Sequence, residues 1–191
     1  MRKKPVLAVV PLGHYIYFEQ FEGLYEELSK KAKAFAAYLA DSSDVIVTDY
    51  VDTVEKSFDT VRTLRAQDVD GVFLVLTTYL PSAVAAPFAN YLDAPQVLVG
   101  IQPLAHLDYG NCTTFMQLVN DDICAMPEIA GAYVRLGRKA PPCIVAASLQ
   151  KETIRREVLR WQRAMEARAA FRYAQFGYLG HTYEGMYDMH T

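Results

Sequence analysis

Cysteine is scarce: Cys112, Cys124 and Cys143 are scattered through 191 residues and odd in number. They make no disulfide framework and no zinc-type spacing, and they fit reduced thiols, so a cytoplasmic protein is expected. Positive charge is not in excess either. Nineteen Lys and Arg stand against 22 Asp and Glu, a net charge of -3, and a basic face for nucleic acid is not expected. Arg2-Lys3-Lys4 is a short run that reads as a solvated start. No stretch approaches the roughly 20 apolar residues of a membrane span. The apolar run before Pro11 is short, so neither a membrane partner nor a signal peptide is expected. Phosphate-cradling glycine motifs are missing too: no Gly-x-Gly-x-x-Gly follows the first strand, and no Gly-x-x-x-x-Gly-Lys-Ser/Thr occurs. No nucleophile, base and orienting group form a recognisable set for covalent catalysis.

What is present is the balance of a globular domain, 52% apolar and 21% charged, in a chain long enough for one sizeable core. Val6 to Val10 reads as a buried strand that stops at Pro11 and Gly13 and puts His14 and Tyr15 into a loop. Phe21 to Asp41 carries Leu24, Leu28, Phe35 and Leu39 at helical spacing. Asp44 to Thr48 reads as a second strand. Thr53 caps a helix that runs to about Gln67. Val72 to Leu76 is a continuous apolar run suited to a central parallel strand. Ser82 begins a helix that Pro87 should kink or shorten. Gln96 to Ile101 is the fourth strand. A helical segment from Thr113 should be interrupted near Met126-Pro127, and Asp121-Asp122 reads as a solvated helix face. Pro142 to Ala147 is the fifth strand, Gln150 to Ala169 a charged helix, and Arg172 to Gly177 a last strand.

Alternation of strand and helix predicts an α/β domain over residues 1–191, a three-layer parallel sheet with right-handed crossovers. The expected strand order is the flavodoxin-like 2-1-3-4-5. Residues 177–191 are rich in Gly, Tyr and polar groups and read as the start of a functional loop or linker to a next domain, which makes the chain the N-terminal fragment of a longer protein.

In open α/β sheets, ligands bind beyond the carboxyl ends of the strands. Four polar or aromatic clusters fall at such ends: His14 to Tyr17, Thr77 to Tyr79, Gln102 to Asp108, and His181 to Asp188. Taken singly, each is explained as well by helix capping or packing. Four on one rim suggest a hydroxyl-rich ligand, which needs several hydrogen-bonding groups with aromatic faces. His106 and Asp108 read either as a paired site or as a satisfied loop hydrogen bond.

The clusters also carry a resemblance. Gly13-His14-Tyr15-Ile16-Tyr17 is similar to the Gly-Ser-Gln-His-Leu-Tyr loop of L-arabinose isomerases. Leu76-Thr77-Thr78-Tyr79-Leu80-Pro81 resembles that family's Leu-His-Thr-Phe-Ser-Pro, and Phe115-Met116-Gln117-Leu118 its Phe-Met-Asn-Leu. Gly177 through Asp188 resembles the loop after the Arg-Phe-Gly strand in divergent members of the L-fucose/L-arabinose isomerase group. The His-Gly-Gly that follows Phe-Met-Asn-Leu in the family has no clean counterpart here; Ile123 or Cys124 falls near it.

The resemblance implies the N-terminal domain of a metal-dependent aldose–ketose isomerase. Such enzymes move a proton between C1 and C2 through an enediol, usually with Mn2+. It implies that the catalytic glutamates and metal ligands lie in the protein's own C-terminal domains. It also implies a homo-oligomer, a hexamer in the family, in which this domain lends residues to a neighbouring subunit's sugar pocket. Carried over by position, the sugar-binding candidates are His14, Tyr15, Tyr17, Thr78 and Tyr79, with His181 and Glu184 from the tail. This fragment alone should be inactive. A non-catalytic sugar- or small-molecule-binding module and a purely structural assembly domain remain the alternatives.

Overall fold

The computed structural model describes residues 4–104, 106–146, 152–177, 179, 180 and 185. Five parallel strands form one sheet in the order β2-β1-β3-β4-β5, as expected. The strands are β1 (Val6–Leu12), β2 (Asp44–Val47), β3 (Gly71–Leu76), β4 (Gln96–Ile101) and β5 (Cys143–Ala146). The helices are α1 (Tyr15–Gln20), α2 (Leu24–Ala36), α3 (Val54–Ala66), α4 (Ser82–Tyr91), α5 (Thr114–Val119), α6 (Asp122–Arg135) and α7 (Glu152–Arg172). The result is the three-layer α/β architecture.

Side chains alternate across each strand, and the two resulting sets make two cores. Ala8, Val10, Leu12, Val72, Leu74, Leu76 and Leu98 face α3, α4 and α6. Leu7, Val9, Phe73, Val75, Val97 and Val99 face α2 and α7. Each fully buried Leu, Val or Phe side chain contributes roughly 1.5–3 kcal/mol relative to exposure. A third, smaller cluster joins Leu24, Leu28, Tyr50 and Leu118 with Tyr17, Phe18 and Phe115. It packs α1, α2 and α5 against one another near the carboxyl end of β1.

Several expectations are corrected. β1 does not stop at Pro11 but runs through it to Leu12. The Pro11 carbonyl accepts from Val51 N at 2.9 Å, on the side where β2 has already ended, so the missing N–H breaks no ladder bond. His14 and Tyr15 are not in an open loop: His14 is the N-cap of α1 and Tyr15 its first residue. The stripe from Phe21 to Asp41 is helical only from Leu24 to Ala36, entered through Gly23 at φ 79°, a conformation glycine adopts at no steric cost. α6 passes through Pro127; the break lies earlier, at Asn120–Asp121. Pro127 has no N–H to give to the Ile123 carbonyl one turn earlier, and α6 continues through that one missing bond. Thr53 does cap α3, accepting from Lys56 N at 3.3 Å.

The last expected strand is absent. α7 continues through Arg172, and residues 174–177 belong to no strand. Arg172 pairs with Asp68 at 2.6 Å, and the Tyr173 hydroxyl donates to Asp68 at 3.0 Å. Asp68 lies in the turn just ahead of β3, so this contact holds the end of α7 at the amino edge of the sheet. Earlier on α7, buried Gln162 donates to Ala40 O at 2.9 Å and accepts from Ala40 N at 2.8 Å. Ser42 and Ser43 donate to Glu166. These bonds lock α7 to the turn before β2.

Candidate functional site

The carboxyl ends of β1 and β3 deliver the central residues. His14 follows Gly13 at the end of β1, and its ring meets Tyr15 edge-on at 5.3 Å and Tyr17 at 5.4 Å. Nδ1 of His14 is buried and has no hydrogen-bond partner. Burial pushes the imidazole pKa down from its ordinary 6.5, against the opposing pull of Asp52. His14 is therefore neutral at pH 7, with one ring nitrogen to donate and one to accept. Tyr15 is 43% exposed and Tyr17 is half-buried. Burial first, then Asp121 and Cys124, raise the Tyr17 pKa.

At the end of β3, Thr77 is fully buried. Its hydroxyl bonds Leu12 O at 2.9 Å and the Tyr50 hydroxyl. Thr78 is also fully buried, and its Oγ1 has no partner. Tyr79 stands half-exposed and donates to Glu128 Oε2 at 3.1 Å, which raises its pKa. Glu128 reaches across from α6 and accepts from Ser82 N at 2.8 Å, capping α4. That backbone bond is the main reason the Glu128 carboxyl is held below its usual range. Tyr17 and Cys124 are both close enough to Tyr79 to act on its charge. Five sequence candidates, His14, Tyr15, Tyr17, Thr78 and Tyr79, thus fall on one rim.

His181 and Glu184 lie outside the described residues. Among the described residues, α7 ends at the amino edge of the sheet, opposite His14. Asp108 accepts from Gly110 N at 3.1 Å and Asn111 Nδ2 at 2.7 Å, a local turn, while His106 is exposed.

Asp122 is the largest correction. It is not on a solvated face but fully buried, 3.9 Å from Lys31 Nζ, itself 8% exposed. Lys31 donates to Thr77 O at 2.7 Å. Neither oxygen of Asp122 makes a well-formed hydrogen bond, although the backbone amides of Asp122 and Ile101 favour its charge. Burial raises the Asp122 pKa against the pull of Lys31, and burial lowers Lys31 from 10.5 to about 8. A signal was there to read. Lys31 interrupts the buried stripe Leu24, Leu28, Phe35 at helical spacing, and Asp122 heads the stripe Ala125, Met126, Ile129, Tyr133. Tyr50 and Glu128 carried no comparable mark, because their partners are 27 and 46 or more residues away.

Clefts also open at the amino edge. One of about 490 Å³ is lined by Pro95, Gln96, Tyr133, Trp161 and Met165, among others. A larger one lies between Lys4, Ser42, Arg163, Glu166 and Gln175. Neither includes a rim candidate. Among the described residues, no three His, Cys, Asp or Glu side chains are grouped to hold a metal ion, and no helix is long and apolar enough to cross a membrane.

No family model and no curated protein matches this chain.

Proposed function

We propose that this chain is the N-terminal domain of a metal-dependent aldose–ketose sugar isomerase of the L-arabinose/L-fucose type, acting within a homo-oligomer. One observation carries the reading. His14, Tyr15 and Tyr17 after β1, and Thr78 and Tyr79 after β3, flank the crevice where the strand order 2-1-3 reverses. In doubly wound sheets that crevice is where ligands bind. The motif resemblance supplies the chemistry of the ligand.

In this reading the rim binds and orients a sugar and excludes water from it. Neutral His14 exchanges hydrogen bonds with a sugar hydroxyl, since one nitrogen donates and the other accepts. The Tyr15 and Tyr17 rings cover an apolar sugar face, and burial, which raises the Tyr17 pKa, keeps the Tyr17 hydroxyl protonated. The described residues do not fit Mn2+, because they hold no ligand cluster. The motif resemblance, not the structure, puts the ion, its ligands and the proton-transferring carboxylates on the protein's own C-terminal domains, and no step through the ion is assigned here. The domain would face a neighbouring subunit's pocket and, on its own, turn over no sugar.

The test is His14→Ala in the full gene product. KM for the sugar should rise about tenfold, the equivalent of one lost hydrogen bond, with an unchanged unfolding midpoint. Kinetics identical to the unsubstituted enzyme would remove His14, and with it the rim, from the sugar site.

A further inference from the structure

Lys31 and Asp122 come from opposite faces of the sheet. Lys31 lies on α2 and Asp122 starts α6, and their side chains meet at the carboxyl end of β3, where Nζ holds the Thr77 carbonyl. Packing alone does not require them. Apolar residues at both positions would continue the two buried stripes described above.

The pair is also poorly built for stability. At 3.9 Å it is too long to be a hydrogen bond, so the attraction is weak compensation for two buried charges. The acids facing Lys31 are Glu27 on its own helix and Asp121 and Asp122 at the start of α6. Space is reserved for the arrangement. A Cβ on Gly100 of β4 would lie 3.2 Å from Asp122 Oδ2 and 2.8 Å from Met126 Cε. What the pair does hold is the residue before Thr78, whose hydroxyl is buried without a partner.

We propose that Lys31 and Asp122 are positioning residues: the ammonium anchors the Thr77 carbonyl, the carboxylate holds the ammonium, and together they fix the turn that presents Thr78 and Tyr79 to ligand. The proposal rests on the reading of Thr78 and Tyr79 as sugar contacts given above.

The test compares the full gene product with Lys31→Met and with Lys31→Met/Asp122→Val. The double variant removes both charges, so its fold should be retained while the anchor is gone. Two quantities are read: exchange of the Thr77 amide, which bonds Leu12 O at 3.0 Å, relative to the Leu74 amide, and KM against kcat. In the double variant, Thr77 exchange should quicken at least tenfold, roughly the factor set by one lost bond to a charged group. KM should rise by about the same factor with kcat little changed. Thr77 protection equal to that of the unsubstituted protein overturns the proposal. So does faster exchange with unchanged KM. Should the unsubstituted protein turn over no sugar, the sugar reading falls on its own, and the exchange measurement alone upholds or overturns the anchor.

Discussion

Lys31→Met should lower the stability of the domain by about 3–5 kcal/mol, because it strands a buried carboxylate with no cation. Lys31→Met/Asp122→Val should recover most of that loss or exceed the starting stability, since apolar residues often replace a buried ion pair at no cost. The pH dependence follows from the same physics. The folded pKa of Lys31 is about 8, below the 10.5 of the unfolded chain. Between those values the unfolded state binds more protons, so stability rises with pH. Burying the ammonium thus costs roughly 3 kcal/mol below pH 8, a cost relieved as pH climbs toward 10.5. Asp122 acts in the opposite direction at the acid end. Its raised pKa means that its charge costs stability above that pKa, and protonation on acidification relieves the cost. Urea unfolding between pH 7.5 and 9, below the ordinary tyrosine pKa of about 10, reads the Lys31 effect. A rise in the unsubstituted protein that is missing in the double variant is expected. A flat profile in both, or a Lys31→Met variant as stable as its parent, would contradict it.

Gly13→Ala should cost about 3 kcal/mol. A Cβ at Gly13 would lie 2.1 Å from the Tyr50 hydroxyl and 2.9 Å from its Cζ. Tyr50 is 5% exposed and cannot swing away freely. It bonds Thr77, packs edge-on to Phe18 at 5.3 Å, and lies 5.2 Å from the Tyr25 ring. Overpacking costs about 1–3 kcal/mol, and an orphaned buried hydroxyl about 1–3 more. Desolvation keeps the Tyr50 pKa well above its ordinary value, so the hydroxyl stays a donor. The cost is steric, and a cycle separates it. In a Tyr50→Ala background, Gly13→Ala should cost no more than about 0.5 kcal/mol. An equal cost in both backgrounds would mean that the glycine is needed for some reason other than Tyr50.

The sheet was legible because its strands are continuous apolar runs. Val72 to Leu76 and Gln96 to Ile101 fall where their patterns place them, alternation with helices marks the sheet as parallel, and its order β2-β1-β3-β4-β5 is the flavodoxin-like one expected first. Proline misled twice. At Pro11 the strand continues because its missing N–H falls on the β2 side just beyond the end of β2, and at Pro127 the helix continues through the loss of a single intrahelical bond. Arg172 to Gly177 looked like a strand from its aromatic residues, but the pairing of Arg172 and Tyr173 with Asp68 decides otherwise. That contact joins residues about a hundred positions apart, which no local pattern shows. The rim was legible as residue types at strand ends. Its floor was not, because adjacent acids such as Asp121-Asp122 most often face water, and only the helical phase of Asp122 against Ala125 and Ile129 argued for burial.

We propose that this rim serves a sugar isomerase. The most direct measurement is aldose–ketose interconversion by the full gene product with Mn2+, across aldopentoses and 6-deoxyhexoses, with residues 1–191 assayed beside it. Turnover of at least one sugar by the full product, none by residues 1–191, and loss of activity on chelation of the metal are expected. Absence of turnover with every sugar, together with sugar binding by residues 1–191 alone, would contradict the proposal and make this a binding module.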